Sequence, residues 1–155
     1  PQNVNPQAAT PAGWLPVQLN TEMWNNGALL SLTNNTVAVL AGTYICEAQC
    51  YFYKTGISRF RIYSTRTGET IGAAATVESN TAAHSSTMAY TSGVLVVENQ
   101  DVIQLEYTCQ NSGFYLGSPA GGVDANQLFQ WLRLTPVSDE SLRALHVAFR
   151  NKTSA

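Results

Sequence analysis

Apolar and polar residues alternate along the middle of the chain with the period of two that β-strands produce. Residues 43–53 show the clearest alternation, because every second position is apolar or small. Successive side chains of a strand point to opposite faces, so this segment predicts one buried face and one outer face. The buried face would carry Tyr44, Cys46, Ala48, Cys50 and Phe52, and the outer face Ile45, Glu47, Gln49, Tyr51 and Tyr53.

Shorter segments repeat this pattern between turn signals. Residues 58–64 alternate again, with an inward set of Phe60 and Ile62 and an outward set of Arg59, Arg61 and Tyr63. Further strands are predicted over residues 70–77, 87–97, 102–109 and 128–136, with a tight polar link at 98–101. Nothing between Trp14 and Pro136 has the period of a long helix. Many short strands with regular turns predict an all-β, antiparallel sandwich or barrel.

The two ends of the chain differ from this β-domain, which we expect to span residues 14–137. Residues 1–13 contain three prolines among Asn, Gln and Ala, which predicts an extended N-terminal arm. Residues 138–155 predict a tail with a short amphipathic helix. So short a helix needs a surface to pack on, either its own domain or a neighbouring protein. Its apolar stripe would be Leu142, Leu145 and Phe149.

The amino-acid composition argues against several classes of function. Only 12% of the residues are charged, about half the usual fraction, and Asn, Gln, Ser and Thr supply the polarity. A net charge of −2 gives no basis for binding nucleic acid or an anionic membrane surface. No apolar run approaches the roughly 20 residues needed to cross a bilayer, and the N-terminus lacks the segments of a signal peptide. We therefore expect a chain made in a cytoplasm, with no membrane insertion.

The sequence contains no recognisable catalytic or metal-binding pattern. His84 and His146 have no acidic partner at the spacing of a triad or a metal pair. The carboxylates are scattered along the sequence, so the sequence neither indicates nor excludes a pair of catalytic carboxylates of the glycosidase kind. We expect no enzyme activity, no catalytic residues, no metal and no cofactor.

The three cysteines allow two interpretations. Cys46 and Cys50 on one strand would lie about 13 Å apart, too far for a disulfide, although either can meet Cys109 across a core. The alternative, which we favour, is that all three are buried free thiols acting as small hydrophobic residues.

The order of motifs resembles the C1q/TNF-like jelly roll over residues 14–137. Residues 42–45 (GTYI) enter a long central strand, residues 93–105 (GVLVVENQDVIQL) resemble the family's pair of strands with an acidic-tipped link, and residues 129–132 (FQWL) resemble its last strand. The resemblance implies a jelly-roll β-sandwich and a compact homotrimer, with the chain ends at the base and loops at the apex. Exposed aromatic residues interleaved with arginine are typical of interfaces, although they also suit ordinary strand surfaces. The predicted trimer interface comprises Tyr51, Tyr53, Arg59, Arg61 and Tyr63.

Similar small jelly rolls without a collagen stalk occur among bacteriophage virion proteins, and the charge-poor composition resembles that group. The leading hypothesis is a non-enzymatic, trimeric capsid decoration or head-fibre protein on the virion surface. The arm and the stripe at Leu142, Leu145 and Phe149 would attach it to a larger virion protein, such as a major capsid or tail protein.

The alternative is the receptor-binding tip of a phage tail or fibre. The Gly-rich loop 110–126 would then bind a host surface glycan or protein, chiefly through Phe114 and Tyr115. An enzyme acting on surface polysaccharide is a third possibility, for which the sequence names no residues.

Overall fold

The computed structural model describes residues 7–19, 21–25, 29–82, 86–111, 115–116, 128–137 and 145–150. These residues form eleven strands, all paired antiparallel, and contain no helix that could cross a membrane. The strands are β1 (Gln7–Ala8), β2 (Leu15–Pro16), β3 (Thr21–Asn25), β4 (Leu29–Thr33), β5 (Thr36–Tyr53), β6 (Gly56–Ser64), β7 (Glu69–Ser79), β8 (Ser86–Cys109), β9 (Tyr115–Leu116), β10 (Leu128–Pro136) and β11 (Leu145–Arg150).

Two long strands, β5 and β8, connect the two layers of the sandwich. They pair from Thr36 opposite Gln104 to Tyr53 opposite Ser86, with one register shift between Leu40 and Gly42. The beginning of β5 and the end of β8 belong to a layer with β4, β6 and β7. The rest of β5 and β8 belongs to a layer with β10, β11 and β3. This arrangement explains why the predicted turn at residues 98–101 is wrong: β8 passes through it without a break.

The core lies between the two layers. The buried face predicted for residues 43–53 is confirmed, because all five of its side chains are fully buried, as are Phe60 and Ile62 on β6. Phe52 of one layer meets Tyr107 of the other, with ring centroids 6.4 Å apart. Burying a large apolar side chain stabilises the fold by about 1.5–3 kcal/mol. Leu132 and Leu134 extend the same core along β10.

The predicted C-terminal helix is wrong over residues 145–150, which form strand β11. This strand lies between β10 and β3, so that Leu145 pairs with both Leu134 and Asn25. The spacing of four between Leu145 and Phe149 fits one face of a helix and also one face of a strand, since four is an even number. Pairing on both edges satisfies the backbone groups that a short, isolated helix would leave exposed to fraying. Leu142 lies outside the described residues.

Part of the predicted N-terminal arm also joins the sheet. Gln7–Ala8 forms β1 and pairs with β9, and Ala9 is buried. The chain then follows β8, with the Val17 amide donating to the Leu105 carbonyl at 2.8 Å. The segment from Gln7 onward is therefore a bonded part of the sandwich.

At one side of the sandwich, β7 crosses β8 in backbone contact. Gly72 has φ +72°, and a Cβ there would collide with the carbonyl oxygen of Ser92. A Cβ on Gly93 would lie 2.6 Å from the Gly72 nitrogen. The Thr91 hydroxyl donates to the Ala73 carbonyl at the same crossing. Two glycines thus let the edges of the two layers meet.

Candidate functional site

The outer side of the layer formed by β10, β5 and β8 carries an exposed apolar surface. We call the apolar face a set of five exposed side chains on this side, with their exposed fractions: Ile45 (43%), Met88 (46%), Tyr90 (45%), Val94 (63%) and Val96 (66%). Ile45 pairs with Val94 across the strands, and the other four lie on the same side of β8, with the polar Ser92 between Tyr90 and Val94. Several exposed apolar side chains on one side of a sheet are typical of interaction sites.

A polar cluster lies in the middle of the apolar face. Glu47 accepts a hydrogen bond of 2.7 Å from the Tyr90 hydroxyl, and Arg133 donates to its other oxygen from Nε at 3.0 Å and from Nη2 at 2.7 Å. Arg133 also lies 5.6 Å from the ring of Trp131. The hydrogen bond from Tyr90, followed by that from Arg133, lowers the pKa of Glu47 below its usual 4.5. The face therefore carries an ion pair that is already matched within one chain.

Acidification should weaken this cluster. Because the pKa of Glu47 is lowered in the folded chain, its contribution is complete above its usual 4.5 and is lost as the pH falls through the lowered value. We expect Glu47→Gln to lower the unfolding temperature modestly at pH 7, and this difference from the wild type to shrink as the pH falls below 4.5. Thermal unfolding followed by circular dichroism over a series of acidic pH values measures it. A difference that stays constant over the whole series would contradict the role of the carboxylate charge.

The outer side of the other layer carries a cluster around Arg61. The Arg61 guanidinium lies 4.1 Å from the ring centre of Trp14 and 4.3 Å from that of Tyr63, and its Nε donates to Glu106 at 2.7 Å. Arg59 adds a second contact to Trp14 at 5.6 Å. Since Glu106 is buried, Arg61 neutralises a charge that would otherwise be costly. The cluster also holds the N-terminal segment against the sheet.

The predicted interface residues therefore lie on two different surfaces. Tyr51 and Tyr53 lie on the outer side of β5, next to the apolar face, where Met88 is opposite Tyr51. Arg59, Arg61 and Tyr63 lie on the outer side of β6, across the core. Sequence reasoning missed the apolar face because residues 94–97 (VLVV) form an unbroken apolar run with no visible alternation. It also missed Trp14, whose contact with Arg61 is distant in sequence.

The remaining predicted site residues fall mostly in or beside strands. Leu145 and Phe149 belong to β11, and the backbone of Tyr115 belongs to β9, which pairs with both β1 and β5. Phe114 and Leu142 lie outside the described residues.

The three cysteines are buried free thiols. Burial raises the pKa of Cys46 to about 12, and it also raises the pKa values of Cys50 and Cys109. These thiols are therefore protonated at neutral pH and poor nucleophiles. In the part of the chain that the structure describes, no group of three or more metal-ligating side chains comes together.

A polar groove opens where β6 begins and β7 ends. It has a volume of about 670 Å³ and is lined by Gly56, residues 78–81, Gln110 and Asn111. Beneath it, the buried hydroxyl groups of Thr55 and Ser58 lie 2.7 Å apart. None of these lining residues was predicted, because they come from three separate segments whose meeting depends on strand register.

The fold is an antiparallel jelly-roll β-sandwich of the TNF/C1q-like kind. Twelve solved chains match it, and one is the crystal structure of murine APRIL at pH 5.0. That match has a TM-score of 0.52 and 15% sequence identity, and it covers 88% of this chain and 95% of the other. No protein-family model and no curated protein matches the sequence. The likeness supports the predicted fold class and carries no information on function.

Proposed function

We propose that the chain is a non-enzymatic structural protein of a virion, a homotrimeric capsid decoration or head-fibre protein. The proposal that the chain forms a homotrimer rests on the apolar face. There, Val94 and Val96 are about two-thirds exposed in the single chain. Removing such side chains from water favours association, by about 25 cal/mol for each Å² of apolar surface that is buried. The occupant that we propose for this face is a second copy of the same chain.

The charges on the face are compatible with contact between identical chains. Glu47 and Arg133 are paired within one chain, so covering them would not leave an unmatched charge at the interface. A heterologous contact in a threefold ring joins two different surfaces of neighbouring subunits. The outer side of β5 and β8 and a second surface of the next subunit would form each contact.

The composition and the two chain ends support the virion role. The composition is poor in charge and rich in neutral polar residues, as in the small phage jelly rolls that the sequence resembles. Attachment to a major capsid or tail protein would use the chain ends, in residues 1–13 and 138–155. Because β11 is bonded on both edges, deleting residues 138–155 would damage the sheet and cannot test attachment. Labelling of purified particles with an antibody against the chain tests the location directly.

Charge placed on the apolar face should abolish assembly. We expect the double substitution Val94→Lys and Val96→Lys to raise the dissociation constant of the oligomer at least about a hundredfold, since each buried lysine lacks a partner. Light scattering coupled to size-exclusion chromatography measures the mass, which should fall from three chains to one. Circular dichroism should show an unchanged β-signal.

The control is Thr33→Lys. Thr33 is exposed at the end of β4, away from the apolar face and outside the predicted interface residues. We expect this variant to retain the mass of the wild type. A wild-type chain that is monomeric at micromolar concentration, or a double variant that still assembles, would contradict the proposed contact.

A further inference from the structure

The polar groove beside β6 and β7 has the size and rigidity of a small-molecule site. Its volume of about 670 Å³ lies within the range of about 300–1,000 Å³ that ligand pockets occupy. The lining differs from that of an ordinary drug-like pocket, because the lining residues within the described part of the chain are all polar except Gly56. The groove consequently offers hydrogen bonds and little apolar contact.

The floor of the groove is held by a buried network of hydroxyl groups. The Thr55 hydroxyl lies 2.7 Å from that of Ser58 and 3.2 Å from that of Ser79, and the Ser79 hydroxyl accepts a bond of 2.9 Å from the Thr55 amide. All three side chains are buried. A satisfied buried network has one geometry, so Ser79 has a fixed position under the groove.

One wall is fixed by the contact of Gln110 and Asn111 with the turn before β6. The backbone amides of these two residues donate to the carbonyls of Ile57 and Thr55, at 3.0 and 3.1 Å respectively. Gly56 has φ +67°. A Cβ there would collide with the side-chain nitrogen Nδ2 of Asn111 and would lie 2.8 Å from the side-chain oxygen Oε1 of Gln110. Glycine at this position lets both amide side chains lie against the turn.

We propose that this groove binds a neutral saccharide. Asn111 and Gln110 contribute amides, which carry both donors and acceptors, and Glu78 contributes a carboxylate, which accepts two hydrogen bonds. Two neighbouring hydroxyl groups of a sugar ring can form paired hydrogen bonds with one planar side-chain amide or carboxylate group. Thr81 and Ser79 add hydroxyl groups at the edge and at the floor.

Other ligand classes fit the same lining less well. The lining residues that the structure describes include Glu78 but no lysine or arginine, which disfavours phosphate, sulfate and acidic sugars. A divalent cation normally takes several carboxylate, carbonyl or water oxygens, and Glu78 is the one carboxylate among these described residues. Their mostly polar surface also disfavours an apolar ligand. The proposal does not depend on the assembly of the chain or on its place in a virion.

A glycan microarray with neutral and acidic oligosaccharides tests the proposal. We expect the purified chain to bind neutral glycans, and the tightest of them to be confirmed by calorimetry. Asn111→Ala and Glu78→Gln should each weaken that binding at least tenfold, while circular dichroism and the oligomeric mass remain those of the wild type.

Asn99→Ala is the matched control, because Asn99 is an exposed residue of β8 that does not line the groove. This variant should bind as tightly as the wild type. Binding of acidic glycans alone, binding of no glycan, or equal binding by all three variants would overturn the proposal. A protein ligand that competes for the groove without any glycan binding would overturn it too.

Discussion

Replacing Gly72 with alanine is expected to lower the free energy of unfolding by at least about 3 kcal/mol, a large part of the roughly 5–15 kcal/mol by which folded domains are stable. Two costs add at this position. The backbone has φ +72°, which costs a residue with a Cβ about 1–2 kcal/mol. The new methyl group would also collide with the Ser92 carbonyl, so that β7 and β8 must move apart. The separation would break the contact that joins the two layers at this edge.

Gly68→Ala measures the first cost, that of the backbone conformation, without the collision. Gly68 has nearly the same backbone angle, φ +73°, but the nearest atom to its added Cβ is the Tyr63 hydroxyl at 3.8 Å. We expect this variant to lose only the conformational cost, about 1–2 kcal/mol. Urea unfolding of both variants measures the two values. Equal losses would show that the crossing of β7 and β8 tolerates a side chain, contrary to the geometry described above.

Arg61→Met should also be strongly damaging, at about 3–5 kcal/mol. Met fills most of the volume of the arginine stem but cannot neutralise Glu106, whose side chain is only 7% exposed. The buried carboxylate would keep its bond from Gln104 Nε2 and lose its bonds from arginine. Trp14 would lose the closer of the two guanidinium groups over its ring and keep only Arg59, which loosens the N-terminal segment.

The double variant Arg61→Met with Glu106→Gln distinguishes a charge effect from lost packing. A neutral amide at position 106 removes the unpaired charge, so the double variant should recover at least half of the lost stability. Urea unfolding at pH 7 measures all three variants. If the double variant were no more stable than Arg61→Met, the loss would lie in the contact with Trp14, and the ion pair would carry little of the stability.

Local alternation predicted the strands whose two faces differ in polarity. In β5, each buried residue from Tyr44 to Phe52 is followed by a more exposed one, so period two was visible and the faces were right. In β8, residues 94–97 are all apolar, and the sequence could not show that Val94 and Val96 face outward. The apolar face could therefore not be recognised from the sequence, because its exposed valines stand next to buried apolar residues in one run.

Long-range placement is what the sequence could not supply. The alternation of Leu145, Val147 and Phe149 can be recognised, but nothing local indicates that this strand enters between β10 and β3. The polar groove depends on long-range strand pairing in the same way. Glu78 and Asn111 come together because β6 pairs with both β7 and β8. The fold class followed from short patterns, whereas the sites depend on register.

The two layers share their longest strands, and this has a consequence for how the protein unfolds. Since β5 and β8 cross from one layer to the other, neither layer can separate as an independent unit without breaking the backbone bonds of the other. Opening one edge of the sandwich would therefore disturb the hydrogen bonds between β5 and β8 that both layers share. The sandwich should respond to heat, denaturant or a mechanical pull as one cooperative body.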